Sequence, residues 1–352
     1  QEGNGYKAVL PPNAQDMRVV VATADAILPV GAITPVNGTG TFTDPMANLP
    51  DSALVIVTHP KLMQGALQYA AYRETSPVNR YNTLVADVEQ LYDQFGGGVR
   101  QHPLAIRNFL RFVYNHAPTK PKALFLIGKA VQAHATALNP LPYQRGYRQD
   151  AGAAAACLVP TIGWPSSDAS FSINLNGSQP ASYQVPVGRL AAQTNEQVVH
   201  YLAKVDSVEH QPPAAWMKNI LHFRGGNNQS DYAQFDNALA SFKVIAEDTS
   251  FFGHVTKFVK NGGAVIEQAA VDSVSDMIAK GVSLMTFFAH AYGGGFDITI
   301  DVPSNYQWHG KFPVMLGNSC YTGNIHQFEP NSASEQFVLP ENSGAIAFIA
   351  SI

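Results

Sequence analysis

A cysteine closes the apolar run FPVMLGNSC at residue 320, and a histidine closes the apolar run GVSLMTFFAH at residue 290. Near-continuous apolar runs bounded by turn residues suit strands buried on both faces of a parallel sheet. Parallel neighbours point their carboxyl ends to the same edge, where loops present side chains to a crevice. A thiol and an imidazole that finish two consecutive strands therefore face one crevice, and the pair suits nucleophilic acyl transfer. The thiol needs that help, because free cysteine has a pKa of about 8.5 and a nearby imidazolium raises its thiolate fraction. Each residue alone also has a plain reading: free cysteine is among the most buried residue types, and a strand-end histidine finds structural partners. Their occurrence on successive strands favours the chemical reading.

Other residues narrow the chemistry. Gly293, Gly294 and Gly295 follow His290 and let backbone approach a substrate closely, or serve as a flexible loop. Tyr321 directly follows Cys320 and joins the glycines as a candidate substrate-site residue. GNSCY resembles the hydrolase elbow G-x-S-x-G, but Tyr321 replaces the second glycine, so Ser319 is a poor nucleophile. LFLIGKA is no phosphate loop, since Ala123 stands in the first glycine position and Ala130 in the metal-binding hydroxyl position. The HFRGGNNQSD turn either cradles an anion or is a strand-to-helix turn at Gly225 and Gly226. His309 and His326 lack metal-ligand spacing, and Asp297 and Asp301 read as loop caps or solvated groups with a lesser role in holding an ion. Cys157, in AAAACLVPTIGW, reads as inert core, although a Cys157–Cys320 disulfide would silence the proposed nucleophile.

Alternating strand and helix patterns must position these groups. ALVIVTHP, NTLVADV and KALFLIGKA read as strands, and KLMQGALQYAAYRE and AIRNFLRFVYNHA as helices between them. The alternation resumes with NILHF, YAQFDNALASFKVIAED, HVTKFV, AAVDSVSDMIAKG, SLMTFFAH, FPVMLGNSC, SASEQFVL and GAIAFIASI. This order predicts helices on both faces of mainly parallel sheets. Residues 1–50 read as an irregular or β-rich N-terminal extension, 51–187 as a first α/β lobe, and 188–352 as a second lobe carrying Cys320 and His290. The apolar strand at Ile352 has no polar exit, which points to a second lobe truncated at its C-terminal end.

The 352 residues include two cysteines, too few for a disulfide scaffold or a cysteine-based zinc site, and no metal ligands are assigned. Charged residues are 14% of the chain and the net charge is −4, without a basic stripe, so nucleic acid is a poor partner. No apolar run is long enough to span a membrane.

VADVEQLYDQFGGGVRQHPLAIRNFLRFVYN, PKALFLIG, VPVGRL, FFAH with GGG, PVMLGNSCYTG and SASEQFVLPENSGAIAFIA occur in an order and spacing that resemble the gingipain family of cysteine peptidases. The resemblance runs from about Asp51 onward. It implies a caspase-like three-layer α/β/α fold in two lobes, and a dyad of Cys320 and His290. It also implies an oxyanion hole from the backbone N–H groups of Cys320 and Ala291, and a thioester acyl-enzyme. Water resolves that intermediate in a peptidase and an amine in a transpeptidase, as in the sortase-like members of type IX secretion. No cofactor is required, and the resemblance allows a structural calcium ion. A protein or peptide substrate, further C-terminal domains and a secreted or cell-surface location are also implied. Two departures stand out. Ala291 replaces the glycine that usually follows the histidine, and the family's acidic residue, shortly after the VGR block, aligns approximately with Gln193. They favour the alternative of a catalytically inactive peptidase-fold binding domain; the intact Cys320 and His290 oppose it. A hydrolase of small esters is a more remote alternative.

Overall fold

The computed structural model describes residues 22–23, 32–45, 47, 49–134, 145–177, 182–262, 267–291, 295–329 and 332–352. Residues 1–42 form one compact unit, whose described part includes a 3₁₀ turn at Val36–Gly38. Residues 43–352 form the other, and contain both main sheets.

In chain order the elements are β1 (Leu54–Thr58), α1 (Met63–Thr75), β2 (Thr83–Asp87), α2 (Val88–Phe95), α3 (Pro103–His116), β3 (Ala123–Ile127), α4 (Ala151–Ala156) and β4 (Val187–Leu190). They continue with α5 (Asn195–Glu209), β5 (Asn219–Arg224), α6 (Gln229–Ala246), β6 (His254–Val259), β7 (Glu267–Gln268) and α7 (Val271–Lys280). Then come β8 (Leu284–Phe288), β9 (Ile298–Thr299), β10 (Val314–Asn318), α8 (Ala333–Val338) and β11 (Ala347–Ala350).

The first sheet has the order β2-β1-β3-β4, all parallel. Successive residues of β1 face opposite sides, and both sides are covered. Val55 and Val57 pack with Val88, Leu91, Phe109 and Val113 of α2 and α3, whereas Leu54 and Ile56 pack with Leu62, Ala66, Tyr69 and Val198 beside α1 and α5. Burial on both faces explains why β1 reads as an unbroken apolar run rather than an alternating one.

The second sheet has the order β11-β10-β8-β5-β6, again all parallel. One face buries Leu221, Phe223, Met285, Phe287 and Met315 against Val274 and Ile278 of α7 and Phe337 of α8. Three stacked rings run across that face, with Phe287 4.3 Å from Phe223 and 4.2 Å from Phe296. Helix α6 covers the opposite face, where Phe235 lies 5.0 Å from Phe288. The mainly parallel α/β architecture is as the sequence predicts. A separate two-stranded ladder, β7 with β9, pairs Glu267 with Ile298 near the post-histidine segment.

The order of the second sheet matters for function. From β5 the chain passes through α6 to β6 on one side, then through α7 to β8 on the other. The loops leaving β5 and β8 therefore diverge at the carboxyl edge, the edge at which ligands bind in open α/β sheets.

Candidate active site

The turn after β5 is built around glycines. Gly225 N–H donates to Phe288 O at 3.0 Å, and a Cβ at residue 225 would lie 2.0 Å from Asp297 Oδ1 and 2.7 Å from Ala289 Cβ. Only glycine fits there. Asn228 then caps α6, its Oδ1 accepting from Ser230 N–H at 2.9 Å and Asp231 N–H at 3.0 Å. This sets Asp231 in the first turn, where the helix N-terminus favours a negative charge.

Asp231 Oδ2 gathers three donors: Asn227 N–H at 2.9 Å, Asn228 Nδ2 at 3.0 Å and His290 Nε2 at 3.0 Å. The Asn227 N–H and then the His290 hydrogen bond hold its carboxyl below the ordinary value, so it stays ionised. One helical turn later, Phe235 meets the His290 ring edge-on, with centroids 5.4 Å apart. Residues four apart share a helix face, so one face of α6 both packs and orients the imidazole. Nε2 is the ring nitrogen that Asp231 engages.

The His290 backbone is also held. Its carbonyl accepts Asp297 N–H at 2.8 Å, and Ala291 bridges Phe296 in antiparallel fashion, which closes the post-histidine loop at its base. Gly293 and Gly294 lie outside the described residues, and Gly295 is buried. Asp297, expected as a loop cap or solvated group, is instead buried. Its Oδ2 accepts from Gly226 N–H at 2.9 Å and Lys260 Nζ at 3.2 Å, and Lys260 Nζ also reaches Asn227 Oδ1 at 2.9 Å. The burial arises because the Gly225–Gly226 turn has no side chains to keep the carboxylate away. Asp301 does cap its loop, accepting from Val302 N–H at 2.7 Å and Asn305 Nδ2 at 2.7 Å.

Cys320 lies beside this assembly. Strands β8 and β10 are adjacent, with Asn318 paired to Phe288, and Cys320 and His290 each follow two residues beyond that pair at the same carboxyl edge. Cys320 is free and exposed. Tyr321, 57% exposed, has a φ of 59°, a left-handed conformation unfavourable for a bulky side chain. The chain therefore turns sharply immediately after the thiol. Cys157 is free but buried, and burial pushes its thiol up to about 11, which makes it inert near neutral pH.

The profile of Peptidase family C25 matches residues 48–352. The chain belongs to peptidase family C25. This places it in the gingipain family of cysteine peptidases, as the sequence blocks suggest. No curated protein sequence matches this C25 chain. Among solved structures, the crystal structure of the Arg-specific cysteine proteinase gingipain R is similar at a TM-score of 0.57 and 15% identity, over 87% of this chain and 64% of that one. The complex of RgpB pro- and mature domains from Porphyromonas gingivalis gives 0.56 and 14%, over 84% and 63%. At these identities the likeness concerns the fold. The C25 chain spans slightly under two thirds of either neighbour's length.

The carboxylate beside His290 comes from Asp231 on α6, not from the neighbourhood of Gln193. Gln193 lies before α5, where its N–H donates to Gln197 Oε1 at 2.7 Å, next to a capping box on Thr194. The signal for Asp231 was nevertheless present in HFRGGNNQSD, a double-glycine turn, an asparagine cap and an acid in the first helical turn. The other histidines serve elsewhere: His326 is buried 3.7 Å from Asp168, and His309 occupies a turn with φ of 50°. Among the described residues no cluster of three or more His, Cys, Asp or Glu side chains is placed to hold a metal ion. No helix among the described residues is long and apolar enough to cross a membrane. Two cavities, of about 430 Å³ between β4 and β11 and about 350 Å³ against β2, are lined by neither Cys320 nor His290.

Proposed function

We propose that this chain is the acyl-transfer unit of a gingipain-like cysteine endopeptidase or transpeptidase, with Cys320 as nucleophile, His290 as base and acid, and Asp231 as the group that orients His290. The observation that carries this reading is the engaged His290 Nε2, bonded to Asp231 on a ring whose strand neighbours the one ending at Cys320. Asp231 fixes the tautomer with the proton on Nε2, which leaves Nδ1 basic. Nδ1 removes the thiol proton, and the Cys320 sulfur attacks the peptide carbonyl carbon. The backbone N–H groups of Cys320 and Ala291 stabilise the oxyanion. As the C–N bond breaks, His290 returns the proton to the leaving amine and a thioester remains. Water then gives hydrolysis, and an incoming amine gives a new peptide bond. Ala291 retains the N–H donor that its position requires, although its backbone freedom is narrower than glycine's.

The exposed thiol and the Asp231 carboxylate both favour activity over the alternative of an inactive binding domain. Family resemblance supports a protein or peptide substrate, further C-terminal domains and a place outside the cell, with type IX secretion as the route. Incubation of the protein with a peptide library, read by mass spectrometry with and without added amine acceptors, tests the reading. Cleavage products or amine adducts that vanish in Cys320→Ala are expected; no products from the full-length protein, or products that persist in that variant, would overturn it.

A further inference from the structure

The peptide groups that lead into Cys320 and His290 are each gripped by a serine hydroxyl. The β8–β10 ladder weakens as it ends, where Ala289 N–H reaches Asn318 O at 3.4 Å. One residue further, Ser319 Oγ donates to Ala289 O at 2.6 Å and takes over the cross-strand tie. Ser351, just past β11, donates through Oγ to Ser319 O. Three strand ends are thus joined by two hydroxyls, and the joined carbonyls belong to the residues immediately before the histidine and the cysteine.

We propose that Ser319 and Ser351 form a hydroxyl clamp that positions the thiol–imidazole pair and the oxyanion donor. They are positioning residues, and the proposal rests on the cysteine-peptidase reading. The peptide group is planar and trans, so its N–H points opposite to its C=O. Ser351 holds the Ser319 carbonyl and thereby aims the Cys320 N–H the other way, toward a developing oxyanion. Ser319 holds the Ala289 carbonyl, and with it the plane that leads to the His290 Cα, against the strand that carries Cys320. Its single hydroxyl proton is committed to that carbonyl, which also accounts for the weakness of the G-x-S-x-G resemblance: Ser319 serves the neighbouring thiol.

The two arms have separable effects. Displacement by iodoacetamide forms no oxyanion, so its rate reports the Cys320 thiolate alone. Acylation by p-nitrophenyl acetate passes through a tetrahedral oxyanion, with sulfur bonding to the carbonyl carbon and p-nitrophenolate leaving, so it reports thiolate and N–H donor together. Both rates are measured across pH for the unsubstituted full-length protein, Ser319→Ala, Ser319→Thr and Ser351→Ala, with Cys157 as the internal slow thiol.

Ser319→Ala is expected to move the alkylation profile to higher pH and to slow both reactions at neutral pH, and Ser319→Thr to restore them. Ser351→Ala is expected to leave the alkylation profile in place while acylation slows by about tenfold, less than the ~10²–10³ that follows removal of an oxyanion donor. If Cys320 of the unsubstituted protein alkylates as slowly as Cys157, the dyad reading falls and the clamp with it. If Cys320 alkylates fast but both alanine variants match the unsubstituted protein, the clamp alone is overturned. Failure of Ser319→Thr to restore the profile also counts against it. Should Ser319→Ala fail to fold, the Ser319→Thr and Ser351→Ala profiles decide.

Discussion

His290 is held by Asp231 at one nitrogen and by Phe235 against its ring, and these two contacts make different predictions. Cys320→Ala is expected to abolish acyl transfer. His290→Ala should lower it by about 10²–10⁴-fold, the usual contribution of a positioned acid–base group. Asp231→Asn should lower it by a smaller factor, because the imidazole keeps its packing on Phe235 and loses only its charged partner. The Asp231 carboxyl is depressed by the Asn227 N–H and by His290, so it is ionised throughout the neutral range. The acid limb of the rate profile should therefore persist in Asp231→Asn, with lower amplitude; disappearance of that limb would assign it to Asp231 and contradict the mechanism. The thiols should differ as sharply. Near neutral pH an alkylating reagent should modify exposed Cys320 well before buried Cys157, whose pKa is raised by burial to about 11. Equal slow modification, followed by peptide mapping, would contradict an activated Cys320.

Strand β8, strand β10 and the front of helix α6 do the positioning, and they were unequally legible in the sequence. SLMTFFAH and FPVMLGNSC announced themselves because strands covered on both faces need apolar residues at every position, and their adjacency follows from the parallel alternation. The turn and cap that set Asp231 are legible in HFRGGNNQSD, but its partner is not. An acid in the first turn of a helix is common for electrostatic reasons, and its partner lies 59 residues away, so the pairing is visible only once β5 and β8 are neighbours. Asp297 departs from the expected loop cap for a similar reason, since nothing local reveals that Lys260 and Gly226 will enclose it. The turn that carries Asp231 is open to test. Asn228→Ala removes the cap and should cost about 1 kcal/mol of stability, with a disproportionate loss of acyl transfer as Asp231 loses its frame. Gly225→Ala would push a methyl group into Asp297 and Ala289, an overpacking that typically costs about 1–3 kcal/mol. Denaturant melts of both variants check this, and an unchanged Gly225→Ala midpoint would refute the tight fit.

Across residues 43–352, buried charges tie segments that the two main sheets bring together. Arg189 donates through Nε to Asp168 Oδ2 at 2.6 Å and through Nη2 to Asp168 Oδ1 at 2.8 Å. Its remaining donors reach the carbonyls of Gly128, Val159 and Pro160. Burial alone would raise the Asp168 carboxyl, but Arg189, with His326, holds it well below the carboxylate range. Arg189→Met should therefore cost about 3–5 kcal/mol by leaving a buried carboxylate without its partner. Lys129 pairs with Glu335 of α8 and links the end of the first sheet to the helix before β11. Lys204, fully buried, donates to Val338 O at 2.6 Å, Ser343 O at 3.1 Å and Ala345 O at 3.2 Å, and burial lowers its pKa to about 7. An unfolded lysine titrates near 10.4, so between about pH 7 and 10 the unfolded chain binds more protons and stability rises with pH through this group. Lys204→Met should flatten that rise in Tm measured across the interval; parallel curves for the two proteins would show that Lys204 does not titrate this way.

The proposed mechanism makes Cys320 a nucleophile activated by an Asp231-oriented His290. It is tested by treating the full-length protein with a peptidyl acyloxymethyl ketone, whose methylene beside the ketone takes the thiolate sulfur as carboxylate leaves, and locating the adduct by mass spectrometry. The expected result is a single adduct on Cys320, slowed in Asp231→Asn and lost in His290→Ala. An adduct on another residue, or one on Cys320 that forms equally fast without His290, would rule out activation of Cys320 by His290.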